Sequence, residues 1–77
     1  MIKYNLKQFL LIDNITGKED NTQIDVYRSR VFCSDDIIDF INNGYECATI
    51  TKGTIRLSKV VKIGASSITK YLLFKEK

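Results

Sequence analysis

Histidine, proline and tryptophan are absent from this chain, and cysteine occurs twice. Without histidine the commonest general base and the commonest metal ligand are both missing. Cys33 and Cys47 stand 14 positions apart with no second cysteine pair, so a structural zinc site lacks ligands. Neither thiol has a histidine partner for nucleophilic catalysis. No glycine precedes Gly17-Lys18 at the spacing of a phosphate-binding loop, and no dinucleotide fingerprint occurs. These gaps remove the usual routes to catalysis. The expectation is a protein that is not an enzyme and holds no metal or cofactor.

Long hydrophobic runs are missing too. The longest, such as Phe9–Ile12, have four residues, far short of a bilayer span. Met1–Lys7 is broken by charge and lacks the apolar centre of a signal peptide. The expected location is therefore the cytoplasm, with both thiols reduced and no membrane partner. Asn14-Ile15-Thr16 matches a glycosylation sequon and reads there as a turn.

What is present suits one small folded domain over residues 1–77. Hydrophobic residues make up 44% and charged residues 27%, which is a globular composition. A domain of this size buries only about 60% of its unfolded-chain surface, so the core is thin. Ile, Lys and Asn are abundant, a bias typical of AT-rich coding sequences in low-GC bacteria and their mobile elements.

The charge is unevenly spread. Residues 1–46 carry five cations against eight carboxylates, and residues 47–77 carry seven cations against Glu76 alone. A one-signed surface attracts the opposite charge, so this asymmetry points to a partner and to no reaction.

Local patterning predicts an α+β fold in the order strand, strand, helix, strand, strand, strand. Ile2, Tyr4 and Leu6 alternate with Lys3, Asn5 and Lys7, as in a half-buried strand. Asp13–Asn21 reads as a polar loop. Thr22–Phe32 reads as a second strand with a bulge near Arg28. Ser34 is the expected N-cap of a helix, with Asp35 and Asp36 in its first turn. Ile37, Ile38, Phe40 and Ile41 form its apolar face, Asp35, Asp36, Asp39 and Asn43 the opposite one, and Gly44 follows its end.

Lys52-Gly53 is the expected turn of a hairpin. Its register would pair Ile50 with Ile55, Ala48 with Leu57 and Glu46 with Lys59 on one side. Thr51–Thr54, Thr49–Arg56 and Cys47–Ser58 would pair on the other. Gly64–Ser67 turns the chain again into a last strand, Ile68–Phe74. There Tyr71-Leu72-Leu73-Phe74 is apolar on both faces, which leaves its register open. The architecture expected is a twisted antiparallel sheet of four or five strands with one helix on it. A small, partly open barrel is the alternative.

The polar side of the hairpin presents Thr49, Thr51, Thr54, Arg56, Ser58 and Lys62, hydroxyls interleaved with cations as in phosphate-contacting surfaces. Lys52 and Lys70 would extend it, and Arg28 and Arg30 would share a face of the second strand. Binding residues are thus expected at Lys52, Arg56, Lys62, Lys70, Arg28 and Arg30, with Asp35, Asp36 and Asp39 as a second contact. No aromatic ladder for base stacking is evident, Tyr71 being the one candidate.

One short helix cannot cover both faces of such a sheet. Phe9, Leu11, Tyr27, Val31, Val60 and either Tyr71/Leu73 or Leu72/Phe74 are left for the other face, to be buried by curling or by a partner. In size and composition the chain resembles small accessory proteins of phages and mobile elements, such as inhibitors of host defence; no motif carries that resemblance. The function expected is a non-enzymatic module docking on another protein, for instance a nucleic-acid-handling enzyme. Direct nucleic-acid binding through the basic hairpin face, and a homodimer, are the alternatives.

Overall fold

Tyr71–Phe74 is apolar on both faces because it lies in the centre of the sheet. The computed structural model describes residues 2–77, and in it the last strand, β6 (Ser66–Glu76), runs between two antiparallel neighbours. On one side is β1 (Lys3–Asp13), on the other β5 (Thr54–Ile63). β4 (Glu46–Thr51) forms the edge beyond β5. The outer side of β1 is covered at one end by β3 (Val31–Cys33) and at the other by β2 (Glu19–Asp20). The sheet ends, β2 and β4, do not meet, so this is an α+β domain with one antiparallel sheet that does not close into a barrel.

Registers sort the strand residues into two faces. Leu6 lies opposite Phe74, Phe9 opposite Leu72, and these pair on with Ile55 and Leu57. All four residues of the central pairs, with Leu57, are buried on the side of the helix α1 (Ser34–Asn42). A bulge between Leu6 and Gln8 makes this possible, because one extra residue reverses the alternation of β1. Phe9 and Leu11 therefore join the helix-side core and not the opposite face.

Thr22–Phe32 is not a continuous strand. Asp20 Oδ1 accepts from the Thr22 backbone N–H at 2.9 Å and from its hydroxyl at 2.7 Å. That local bond turns the chain into a 3₁₀ helix, Thr22–Tyr27. The controlling period is three: Ile24 and Tyr27 pack on the core while Val26 is 76% exposed. Only Val31–Cys33 is extended, and there is no bulge near Arg28. Val31 is only partly covered, at 37% exposure.

Phe32 is fully buried where these pieces converge. Its ring lies 5.9 Å from Tyr27, 6.2 Å from Phe40 and 5.3 Å, edge-on, from Phe74. The helix docks through Ile37 and Phe40, one turn apart. Ile38 and Ile41 stay largely exposed, so its apolar contact is narrower than the pattern predicts. Cys33, and not Ser34, is the N-cap: Asp36 reaches back and accepts from the Cys33 backbone N–H at 2.9 Å. Gly44, with φ 101°, ends the helix as expected.

The Lys52-Gly53 turn holds, with Gly53 at φ 77°. Thr51–Thr54, Ile50–Ile55 and Thr49–Arg56 pair as expected. A bulge between Cys47 and Thr49 then shifts the register, so Cys47 meets Leu57 and Glu46 meets Ser58. The expected Ala48–Leu57, Cys47–Ser58 and Glu46–Lys59 pairs do not form. Lys59 Nζ instead donates to the Asn43 carbonyl at 2.7 Å and lies over the Tyr45 ring. A cation is favoured there, at the end of a helix where carbonyls lack partners. Its stem fills the space beside Gly44, 3.3 Å from where a side chain would begin.

Leu57 and Ile50 share the apolar side of the hairpin pattern, yet Leu57 is fully buried and Ile50 is 71% exposed. Leu57→Ala should cost about 2–5 kcal/mol in denaturant unfolding, and Ile50→Ala less than about 0.5 kcal/mol.

Candidate sheet-face binding site

Among the described residues, no helix or further sheet covers the face turned away from the helix. Alternation from the buried positions places Lys3, Asn5, Gln8, Leu10 and Ile12 of β1 on it. Thr69, Tyr71, Leu73 and Lys75 of β6 join them, with Thr54, Arg56, Ser58, Val60 and Lys62 of β5. The paired residues line up in rows: Asn5–Lys75–Thr54, Gln8–Leu73–Arg56, Leu10–Tyr71–Ser58, and Ile12–Thr69–Val60. A shallow groove of roughly 340 Å³ runs over the middle rows, lined by Leu10, Ile12, Ala48, Arg56, Tyr71 and Leu73 among others. Tyr71 is 42% and Val60 57% exposed, so apolar area remains in water here.

The cations frame this apolar strip. Lys75 and Arg56 stand at one end and Lys62 at the other, six residues along β5 from Arg56, about 20 Å. The carboxylates of the face, Glu19 and Glu46, stand on the outermost strands. Asn14 fastens the far end. It donates from its backbone to the Ser67 carbonyl at 3.0 Å and from Nδ2 to Ser67 Oγ at 2.9 Å, and it accepts from the Thr69 hydroxyl at 3.0 Å.

The residues expected to bind divide between two sides of the domain. Arg56 and Lys62 lie on the open face, and Lys52 projects at the hairpin turn beside it. Lys70 does not extend this patch. It pairs across from Lys59 and Leu11, on the helix side, because positions 70, 72 and 74 share a face. Arg28 and Arg30 do not share a strand face, since no strand forms there. Arg28 pairs with Asp25 in the 3₁₀ helix, and Arg30 lies 4.6 Å over the Phe32 ring and 3.4 Å from Asp36. Of the two pairs expected there, Tyr71 and Leu73 face the open side, whereas Lys75, Leu10 and Ile12 were not expected on it. Their signal was the two-faced apolar run of β6, which marks a central strand whose second face needs company.

The acidic helix side is partly occupied with its own structure. Asp36 holds the helix start through Cys33, receiving both the backbone N–H and the thiol, the latter at 3.3 Å. Those hydrogen bonds, with Arg30 nearby, hold its carboxyl below the ordinary value of 3.8. Asp35 and Asp39 lie exposed on the same helix. Among the described residues, no group of three or more His, Cys, Asp or Glu side chains could hold a metal ion, and no helix is long and apolar enough to cross a membrane. Comparison with family models, with curated proteins and with solved structures finds no match to this chain.

A carboxyl held low in the folded state binds its proton less readily there than in the unfolded chain. The stabilisation by Asp36 is thus fully present above about 3.8 and lost as pH falls below it. Asp36→Asn keeps an acceptor for the Cys33 N–H and removes the titration. Wild type should melt higher than this variant at neutral pH, and the gap should close in thermal scans taken down through pH 3.

Proposed function

We propose that this domain is a non-enzymatic binding module that docks on another protein through the open face of its sheet. The occupant that fits is an acidic protein surface carrying apolar side chains. The observation behind this reading is the apolar strip of exposed Tyr71 and half-buried Leu10, Ile12 and Leu73 that lines a groove between Arg56–Lys75 and Lys62. Apolar anchors in a groove with charges at the rim are how protein interfaces are built. The rim cations would steer an acidic partner and fix its orientation.

Nucleic acid is the less favoured occupant. A single-strand binder tracks phosphates along a continuous basic groove and stacks bases on several aromatic rings. Here Arg56 and Lys62 are separated by the apolar rows, and Tyr71 is the one ring on the strands of this face. A small accessory or inhibitory protein of a phage or mobile element would work by such docking, covering a working surface of a nucleic-acid-handling enzyme without chemistry of its own.

Tyr71→Glu combined with Arg56→Glu reverses the chemistry of the strip; Tyr71 is 42% exposed on the central strand, so the variant should lose about 1 kcal/mol of stability and still unfold cooperatively. Cross-linked capture from host lysate, with nuclease treatment, should retain a protein partner on wild type and lose it at least about tenfold on the variant. Equal retention by the variant would exclude this face. Loss of the wild-type signal with nuclease, together with a low-salt mobility shift of nucleic acid that fades steeply with ionic strength, would replace the protein by nucleic acid.

A further inference from the structure

The helix α1 ends on Asn43-Gly44, and both residues are exposed. An asparagine followed by glycine is the side-chain amide most open to attack by its own chain. The next backbone nitrogen can close a five-membered ring on the side-chain carbonyl carbon, and glycine has no side chain to obstruct it. Of the asparagines in this sequence, Asn43 alone precedes a glycine. Ring closure has two requirements. The Gly44 nitrogen must lose its proton, and it must swing round to the side of the Asn43 side chain.

The fold holds both requirements off. Asn43 has ψ 15°, which turns the Gly44 nitrogen away from the side-chain carbon it would attack. The Gly44 N–H donates to the Ile41 carbonyl at 3.1 Å, and Asn43 Nδ2 donates to the Asp39 carbonyl at 2.8 Å. Lys59 Nζ donates to the Asn43 carbonyl at 2.7 Å, which fixes the plane of the peptide that would have to rotate. Just beyond, the Tyr45 N–H returns to the Phe40 carbonyl at 3.1 Å, and the Tyr45 ring packs edge-on against Phe40 at 5.5 Å. Rotation about the Asn43 Cα–C bond breaks the Gly44 and Lys59 hydrogen bonds together. Reaction therefore needs the last turn to open. That turn is the exposed end of a nine-residue helix, where local opening costs least.

We propose that Asn43-Gly44 is a latent self-modification site, held unreactive by the helix end and deamidated when the last turn of α1 opens. In the open turn the Gly44 N–H gives its proton to solvent, and the nitrogen attacks Cγ of Asn43. The Cγ–Nδ2 bond breaks, the leaving amide takes a proton from water, and ammonia departs. The cyclic imide left behind is hydrolysed by water at either carbonyl, giving aspartate or its β-linked isomer. No oxidant, reductant or cofactor enters. The product does not restore the cap. Its carboxylate has no N–H for the Asp39 carbonyl, and its charge stands at the helix end that repels anions. In the β-linked isomer the main chain gains a carbon, which displaces Gly44 from Ile41 and loosens the anchor at Tyr45. The step runs one way and lowers the formal net charge of +3 by one. This site lies at the helix end, apart from the open sheet face, and does not depend on what that face binds.

Peptide mapping by mass spectrometry tests this, with the full chain incubated at mildly alkaline pH. The readout is the mass gain of amide-to-acid conversion, and fragmentation separates Asn43 from Asn42. The folded chain should convert at Asn43 at least about tenfold more slowly than the same chain unfolded in urea, yet faster than global unfolding alone allows. Lys59→Ala frees the Asn43 carbonyl. It should raise the folded rate about two- to tenfold and leave the unfolded rate unchanged. Asn43→Asp, the product in its normal linkage, should melt below wild type at neutral pH. Equal folded and unfolded rates in wild type overturn the gate, and so does a folded rate no faster than global unfolding permits. These two outcomes decide the matter even if Lys59→Ala is unstable. A folded Lys59→Ala that converts no faster than wild type, or conversion at Asn42 in place of Asn43, also overturns it.

Discussion

Burial of the Phe32 ring organises the helix side of this domain. Two short pieces that could not hold a conformation alone meet the sheet on it: the 3₁₀ helix through Tyr27 and the helix through Phe40, against Phe74 of the sheet. A nine-residue helix is marginal by itself in water, so its place depends on this packing and on its cap. Asp36 serves both, closing the helix start on Cys33 and pairing with Arg30, which in turn covers the Phe32 ring. Because the small covering layer is spent on this cluster, the other sheet face stays bare. The packed core and the open sheet face thus follow from one arrangement: the small covering layer lies on one side of the sheet.

The parts of the fold that sequence patterning reveals are those governed by local chemistry. Gly44 and Gly53 mark a helix end and a turn because both need positive φ. Asp35 and Asp36 mark the helix start, and the threonines beside Lys52-Gly53 give the correct register for the three nearest pairs. The errors arise where one residue changes phase. Extra residues near Lys7 and Ala48 reverse the alternation of two strands, which moved Phe9 and Leu11 into the core and separated Glu46 from Lys59. No residue type announces such a bulge. Thr22–Tyr27 misled for another reason: Ile24, Val26 and Val31 favour strand locally, but Asp20 bonded to Thr22 starts a 3₁₀ turn.

The candidate site was legible in kind and only partly in position. The basic character of the C-terminal third survives folding, with Arg56, Lys62 and Lys75 on the open face. Lys70 was lost to the other side by strand parity, and Arg28 and Arg30 by the missing strand. Apolar residues were expected on this face, Val60 and the Tyr71/Leu73 pair among them, but that Leu10 and Ile12 complete the strip depends on β1 and β6 lying side by side. Leu10 and Tyr71 become neighbours only through that pairing. The strip changes the meaning of the charge. The cations stand around a half-buried apolar groove and do not form a continuous basic face.

The central position of β6 also constrains how the chain can be made. β4, β5 and β6 are consecutive and can zip together as hairpins as soon as they emerge. β1 has no lateral partner of comparable length until β6 arrives, since Leu6 must find Phe74 and Lys3 must accept from Lys77. During synthesis the run Phe9–Ile12 therefore waits unpaired, with both faces apolar, while the rest of the domain is still being built. Closing that long loop is entropically slow, and an unpaired apolar strand is where aggregation begins. Lys3 and Lys7, for which no ion pair occurs among the described residues, precede that run within the same strand, where their charge opposes association of unpaired copies. Their value is greatest before the structure exists.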